Sequence, residues 1–267
     1  MKPVAQHTRL VTGLFVLIFF TRTVGSSLPY ISASPNQNNP RRAREMDPEN
    51  ARWFAQLNSS DEEERREAVM RLSHLKTSAA TSALLSALND RSSRVRAAAA
   101  ACLAERGEAS TVPLLAACLA KDKDAFVRKT AAYALGKFQG TGRTAALIAA
   151  LKDKDAEVRG AAAVSLGDHA DTAAVTSLTT ALSDRSAFVR ARAARALGVN
   201  GSAATPAVPA LIRLLTSDDD NEVKRQASTA LGSIGDRSAL PALERARHDK
   251  DPHLVQAAID AIRMLEK

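Results

Sequence analysis

The chain has 267 residues, enough for one or two ordinary domains or one solenoid. Hydrophobic residues make up 45% of it but aromatic residues only 4%, which argues against a deep aromatic pocket or a β-sandwich and suits thin helices packed through Ala, Leu and Val. The formal charge is +8, but beyond residue 26 acids and bases alternate, and 34 Lys and Arg against 29 Asp and Glu leave +5, a mixed surface and not a nucleic-acid footprint.

Residues 1–26 read as a secretory signal. Lys2 and Arg9 form a basic start, Leu10 to Phe20 is an apolar run, and Thr23-Val24-Gly25-Ser26 offers small residues for cleavage. The run is about half the ~20 residues of a membrane-spanning helix. The expected location is therefore outside the cytoplasm, periplasmic or secreted. A membrane anchor through an uncleaved signal is the alternative, and no other membrane contact is expected. No cysteine stands near the cleavage region to support a lipoprotein anchor. Residues 27–46, rich in Pro, Asn, Ser and Arg, read as a flexible linker.

From residue 47 to 267 the chain repeats. Glu64, Val95, Val127, Val158, Val189, Val223 and Leu254 mark one position, at spacings of 31, 32, 31, 31, 34 and 31 residues. Four residues later alanine stands in every copy, from Ala68 to Ala258, and eight residues later Leu or Ile, from Leu72 to Ile262. Each block predicts a helix, capped by Asp61, Ser92, Asp124, Asp155, Ser186, Asp220 and Asp251. Gly136, Gly167, Gly198 and Gly232 stand near the far ends, where glycine helps stop a helix. A preceding helix is predicted over 82–88, 112–119, 145–151, 175–182, 206–215 and 240–246. One such pair cannot bury its own apolar face and stacked copies can, so the expected fold is all-α, a right-handed α-solenoid of about seven two-helix repeats. Cys102 and Cys118 fall at small-residue positions and read as two small buried hydrophobes. Whether they bridge stays open.

The pattern Asp-x-x-Val-Arg-x-x-Ala-Ala-x-x-Leu-Gly, preceded by segments such as Ala207-Val-Pro-Ala-Leu-Ile-Arg-Leu-Leu215, resembles the HEAT-like repeats of the phycobilisome-lyase type. The resemblance implies the solenoid. It leaves the function among bilin lyases, deoxyhypusine hydroxylase and scaffolds of unassigned role. The hydroxylase carries His-Glu motifs for two irons, and this sequence has no His-Glu dipeptide. Bilin lyases act on cytoplasmic proteins, which conflicts with the export signal.

Helix geometry sorts the remaining residues. With the Val position at zero and ~100° per residue, the Ala and Leu positions fall near 40° and 80° and the next residue near 100°, inside the buried sector. Arg65, Arg96, Arg128, Arg159, Arg190 and Lys224 occupy that next position. They are read as a structural ladder turned toward the neighbouring repeat, bonded to the helix-start carboxylates Asp124, Asp155 and Asp220. The resemblance implies an Asp–Arg ladder of the same kind. The opposite face centres near 240° and is the expected concave groove. Its Lys129, Tyr133, Arg192, Arg195, Arg225 and Gln226 are the candidate partner-binding residues.

The acidic run Asp218 to Glu222 does not match the spacing of a calcium loop. No nucleophile elbow, phosphate-binding loop or His-Glu-x-x-His motif is present. The expected function is a binding scaffold and not an enzyme, without metal or cofactor, taking another protein or an acidic peptide and no nucleic acid. The alternative is an enzyme or accessory subunit of the lyase or hydroxylase class.

Overall fold

The computed structural model describes residues 48–267; the expected signal (1–26) and linker (27–46) lie outside them. Fourteen α-helices follow in chain order: α1 Pro48–Gln56, α2 Glu62–Ser73, α3 Ser78–Ala87, α4 Ser93–Arg106, α5 Val112–Lys121, α6 Ala125–Gly136, α7 Thr141–Ala150, α8 Ala156–Gly167, α9 Val175–Ala181, α10 Ala187–Val199, α11 Val208–Ser217, α12 Asn221–Ile234, α13 Leu240–Ala246 and α14 Pro252–Leu265. They form seven antiparallel-connected pairs, and no strand occurs among the described residues. The second helices, α2 to α14 by twos, pack side by side in chain order, each also against its own first helix. The result is an α-solenoid with one continuous core, as the sequence predicts.

The repeat positions account for that core. Val95, Val127, Val158, Val189, Val223 and Leu254 are fully buried, and so are the alanines four residues on. The expected capping side chains accept N–H groups of the first turn at Asp61, Ser92, Asp124, Asp155, Asp220 and Asp251. Ser186 holds the capping position of α10, but its side chain makes no capping bond.

Four features depart from the sequence reading. Helix α1 precedes the first repeat block and buries Trp53, closing the start of the stack. Helices α3 and α7 begin at Ser78 and Thr141, each four residues ahead of the expected 82 and 145; at α3, Thr77 Oγ1 accepts the Ala80 N–H. The longest spacing arises from a seven-residue 3-10 segment, Gly201–Ala207, where the other repeats use at most three residues.

The fourth concerns the glycines. Gly136 and Gly167 are the last residues of their helices and Gly198 and Gly232 lie within two residues of the ends, but none is left-handed; the left-handed terminators are Gly107 (φ 68°) and Gly235 (φ 84°). What the four share is close contact with the next second helix. A Cβ on Gly167 would lie 2.9 Å from Ala196 Cα, one on Gly198 3.0 Å from Ala230 Cα, and one on Gly232 2.7 Å from Ala261 Cα. Small residues let these backbones touch.

The cation ladder is present, with different carboxylates. Arg65, Arg96, Arg128, Arg159 and Arg190 clasp Asp90, Asp122, Asp153, Asp184 and Asp218 of the following repeat, with Nε–Oδ2 distances of 2.6–2.8 Å and a second bond from Nη2 to Oδ1. The expected partners Asp124, Asp155 and Asp220 stand two residues further on. Their carboxylates are already occupied by the N–H groups of their own helices. The ladder aspartates instead turn Oδ1 onto the N–H of the capping residue. Each arginine also donates Nη1 to a carbonyl of the loop before its helix, as Arg96 does to Asp90 O at 2.9 Å. Lys224 makes no such ion pair. The last repeat is tied instead by Arg225 Nη1 to Asp251 Oδ2 at 3.0 Å.

Burial pushes the ladder carboxyls up. The paired guanidinium, the backbone N–H and the nearby positive charge outweigh it, so all five rest below the usual aspartate range. Each pair's contribution is complete above the unfolded aspartate value of about 3.9 and is lost as pH falls through the lower folded values. The unfolding midpoint should therefore hold near neutrality and drop on acidification below that value, followed by circular dichroism. Asp184→Ala leaves Arg159 buried and unpaired and should cost about 3 kcal/mol in urea unfolding, whereas Glu157→Ala on the surface should stay within about 0.5 kcal/mol. Gly167→Leu should cost at least about 1–3 kcal/mol, because backbone must move to admit it.

Candidate functional site

The stack consumes one side of each second helix and leaves the other open. Counting from the repeat valine, the positions mostly exposed are −1, +6 and +10, with +3 mostly half-buried; the three fall between about 240° and 280° on the helix. Position +2, expected to be open, is closed in three copies: Ala97, Gly160 and Ala191 are buried, Gly160 beneath the Phe188 ring.

The six candidate residues all lie on this side but do not form one cluster. Lys129 and Tyr133 stand on α6. Lys129 is half-buried, 3.7 Å from Glu157 and 5.8 Å from the Phe126 ring centre; Tyr133 is exposed. Arg192 and Arg195 stand on α10, beyond α8, whose Gly160 and Ala161 are buried and whose Val164 is half-buried. The Arg192 guanidinium lies over the Phe188 ring at 5.0 Å, and Arg195 is exposed. Among the described residues neither arginine has a carboxylate within 4.0 Å.

Arg225 and Gln226 on α12 are engaged within the fold. Arg225 donates Nη2 to Glu222 Oε2 at 2.5 Å and Nη1 to Asp251. Gln226 donates Nε2 to Glu222 Oε1 at 2.8 Å. The hydrogen bond from Arg225, with its charge and that of Arg192, holds the Glu222 carboxyl below its usual range. Arg192 and Gln226 do meet, beside Phe188 in a shallow hollow of about 200 Å³. A larger hollow of about 670 Å³ lies on α2, α4 and α6, floored by alanines and walled by Phe126.

Sequence reasoning missed Phe126, Arg94 and Glu222, all at position −1. The signal was available: one residue before the valine lies near 260° by the same arithmetic, yet the residue reads as part of the cap.

The remaining candidate chemistry is spent on structure. Among the described residues no three His, Cys, Asp or Glu side chains converge as a metal site. In the acidic run, Asp218 pairs with Arg190, Asp220 caps α12, and Glu222 holds Arg225. His169 Nε2 sits 2.7 Å from the Gly136 carbonyl. Cys102 and Cys118, expected to be buried, are half-buried and unbridged, and desolvation pushes both thiols up, away from the nucleophilic thiolate.

A family model described as HEAT repeats matches residues 50–136, 144–208 and 189–263. Among solved structures, YibA of Escherichia coli aligns at 23% identity over 81% of this chain and 81% of that one, with a TM-score of 0.63. An engineered protein aligns at 25% identity over 80% of this chain and 67% of that one, with a TM-score of 0.56. The CpcE–CpcF complex of phycocyanin lyase from Nostoc sp. PCC7120 aligns at 25% identity over 89% and 99%, with a TM-score of 0.49. A search of curated proteins gave no match.

The two repeat-related phenylalanines differ in one testable way. A Cβ on Gly160 would lie 2.1 Å from Phe188 Cε1, so Gly160→Ala should push that ring outward, toward the exposure of Phe126. Because the ring can swing free, and Ala gains up to about 1 kcal/mol of helix propensity over Gly, the net stability change should stay within about 1 kcal/mol. Ring contacts between Phe188 and residue 160 in NMR spectra check the displacement.

Proposed function

We propose that this chain, which belongs to the HEAT-repeat family, is a non-enzymatic scaffold that works outside the cytoplasm and captures another protein on the face of its second helices. One observation carries the reading. Of the six most exposed large apolar side chains among the described residues, five lie on that face: Met70, Phe126, Tyr133, Val199 and Met264, with only Leu114 elsewhere. Exposed apolar side chains that share one face support a contact surface there.

The same face offers Arg192 and Arg195 without carboxylate partners, beside fixed Arg225 and Gln226. Arginine and tyrosine are favoured where binding energy concentrates, and two guanidinium groups without a carboxylate within 4.0 Å favour an acidic partner. Export is supported by Lys2, Arg9 and the apolar run Leu10 to Phe20. The alternative, a subunit of the lyase or hydroxylase class, predicts bound iron or bilin in purified protein.

The test is crosslinking of the full chain in its native host, with fractionation to locate it. A partner should be recovered from outside the cytoplasm. The double variant Arg192→Glu, Arg195→Glu should lose about 30-fold in affinity for it, the equivalent of about 2 kcal/mol. Unchanged capture by a folded double variant removes the basic groove from the reading, and recovery only from cytosol removes export.

A further inference from the structure

The clasp that closes five junctions is absent from the last. Lys224 holds on α12 the place that Arg190 holds on α10, and Asp249 holds the place of Asp218, the carboxylate that Arg190 clasps. Asp249 is set like its counterparts, with Oδ1 accepting the N–H of the capping residue Asp251 at 2.9 Å. Yet among the described residues no carboxylate lies within 4.0 Å of the Lys224 ammonium. Lys224 and Asp249 instead line one hollow of about 420 Å³ beside α11 and α13. Lysine has no planar fork with which to hold a carboxylate and a loop carbonyl at once, and neither half of the clasp forms.

The same stripe of α12 carries a second defect. Ser228 lies four residues after Lys224 and four before Gly232, whose backbone meets Ala261 of α14; residues at this spacing share one side of a helix. Its hydroxyl is fully buried without a hydrogen-bond partner, where the five second helices from α2 to α10 carry Val69, Ala100, Ala132, Ala163 and Ala194. Closing the junction strips water from a hydroxyl that gains no bond in return. Among the described residues one polar contact crosses from 201–235 to 236–267. It runs from Arg225 Nη1 to Asp251 Oδ2 at 3.0 Å, and the Arg225 side chain is 30% exposed and shared with Glu222. The seventh repeat is joined within itself: α13 packs on α14, and Arg237 Nε donates to Leu265 O at 3.0 Å.

We propose that the seventh repeat, α13 with α14, is the movable end of the stack: it opens from α12 as a unit while the first six repeats stay closed. In a solenoid each repeat is held only through its neighbours, so a weak terminal interface opens without the rest. The exposed His253, Gln256, Arg263 and Met264 of α14 move with it. The proposal stands independently of what the second-helix face binds.

Hydrogen–deuterium exchange of the full chain, read by mass spectrometry on peptides from each helix, tests it. Amides of α13 and α14 should exchange together, at least about tenfold faster than those of α12. Lys224→Arg supplies the missing fork, and Asp249 stands ready to receive it. Exchange in α13 and α14 should then slow about tenfold while α8 stays unchanged. Adding Asp249→Ala should cancel that gain.

Equal rates in α12 and α14, or α14 exchanging without α13, overturn the proposal, because the break then lies elsewhere. A Lys224→Arg effect that is absent, that spreads to α8, or that survives Asp249→Ala overturns it as well.

Discussion

A guanidinium that bridges two successive loops sets the geometry of this molecule. Arg128 is typical: Nη1 reaches the Asp122 carbonyl of its own loop, while Nε and Nη2 grip the Asp153 carboxylate of the next. Taking two charges out of water is costly, and a single buried pair is weak evidence for stability. Here the cost is offset by saturation, since each ladder aspartate also accepts an N–H from the capping residue. Bidentate geometry tolerates little displacement. Five such clasps, one per junction from the first repeat to the sixth, therefore fix the offset between neighbours more tightly than apolar contact between alanines could.

Placing the directional bonds in the loops frees the rest of the second helix. Its buried side needs only to be small and apolar, so alanine recurs without exception four residues after the valine. Close backbone contact through Gly167, Gly198 and Gly232 completes the stacking. The outer side bears none of these demands. At position −1 it carries Glu63, Arg94, Phe126, Glu157, Phe188, Glu222 and His253 in turn. A regular interior thus supports an irregular surface, the division of labour on which solenoid binding faces depend.

What could be read in the sequence follows the same division. The core, the helical pairs and the inward turn of the ladder cations were legible, because each depends on a period and an angle. The carboxylates of the ladder were not. Asp122 and Asp124 look alike in sequence, and only geometry shows that Asp124 is consumed by the Phe126 N–H. The glycines misled because a stop signal and a close approach both put glycine near a helix end. Arg143 gave no signal at all. It stands where the other repeats carry Ala80, Thr111, Ala174, Ala207 and Ala239, is buried at 1% exposure, and donates to the Phe138 and Ser165 carbonyls near Asp171.

The candidate face was legible as a direction but not as a shape. Helical arithmetic located Lys129, Tyr133, Arg192 and Arg195 correctly on the outer side, and it could not reveal that Arg225 and Gln226 share Glu222. Shape on this face is decided across the junction between repeats. The Phe188 ring at position −1 lies on Gly160, where a Cβ would be 2.1 Å from Cε1, and the Phe126 ring, with Ala97 in the corresponding place, is half exposed. The exposed face therefore differs from copy to copy while the ladder and the alanine core stay constant.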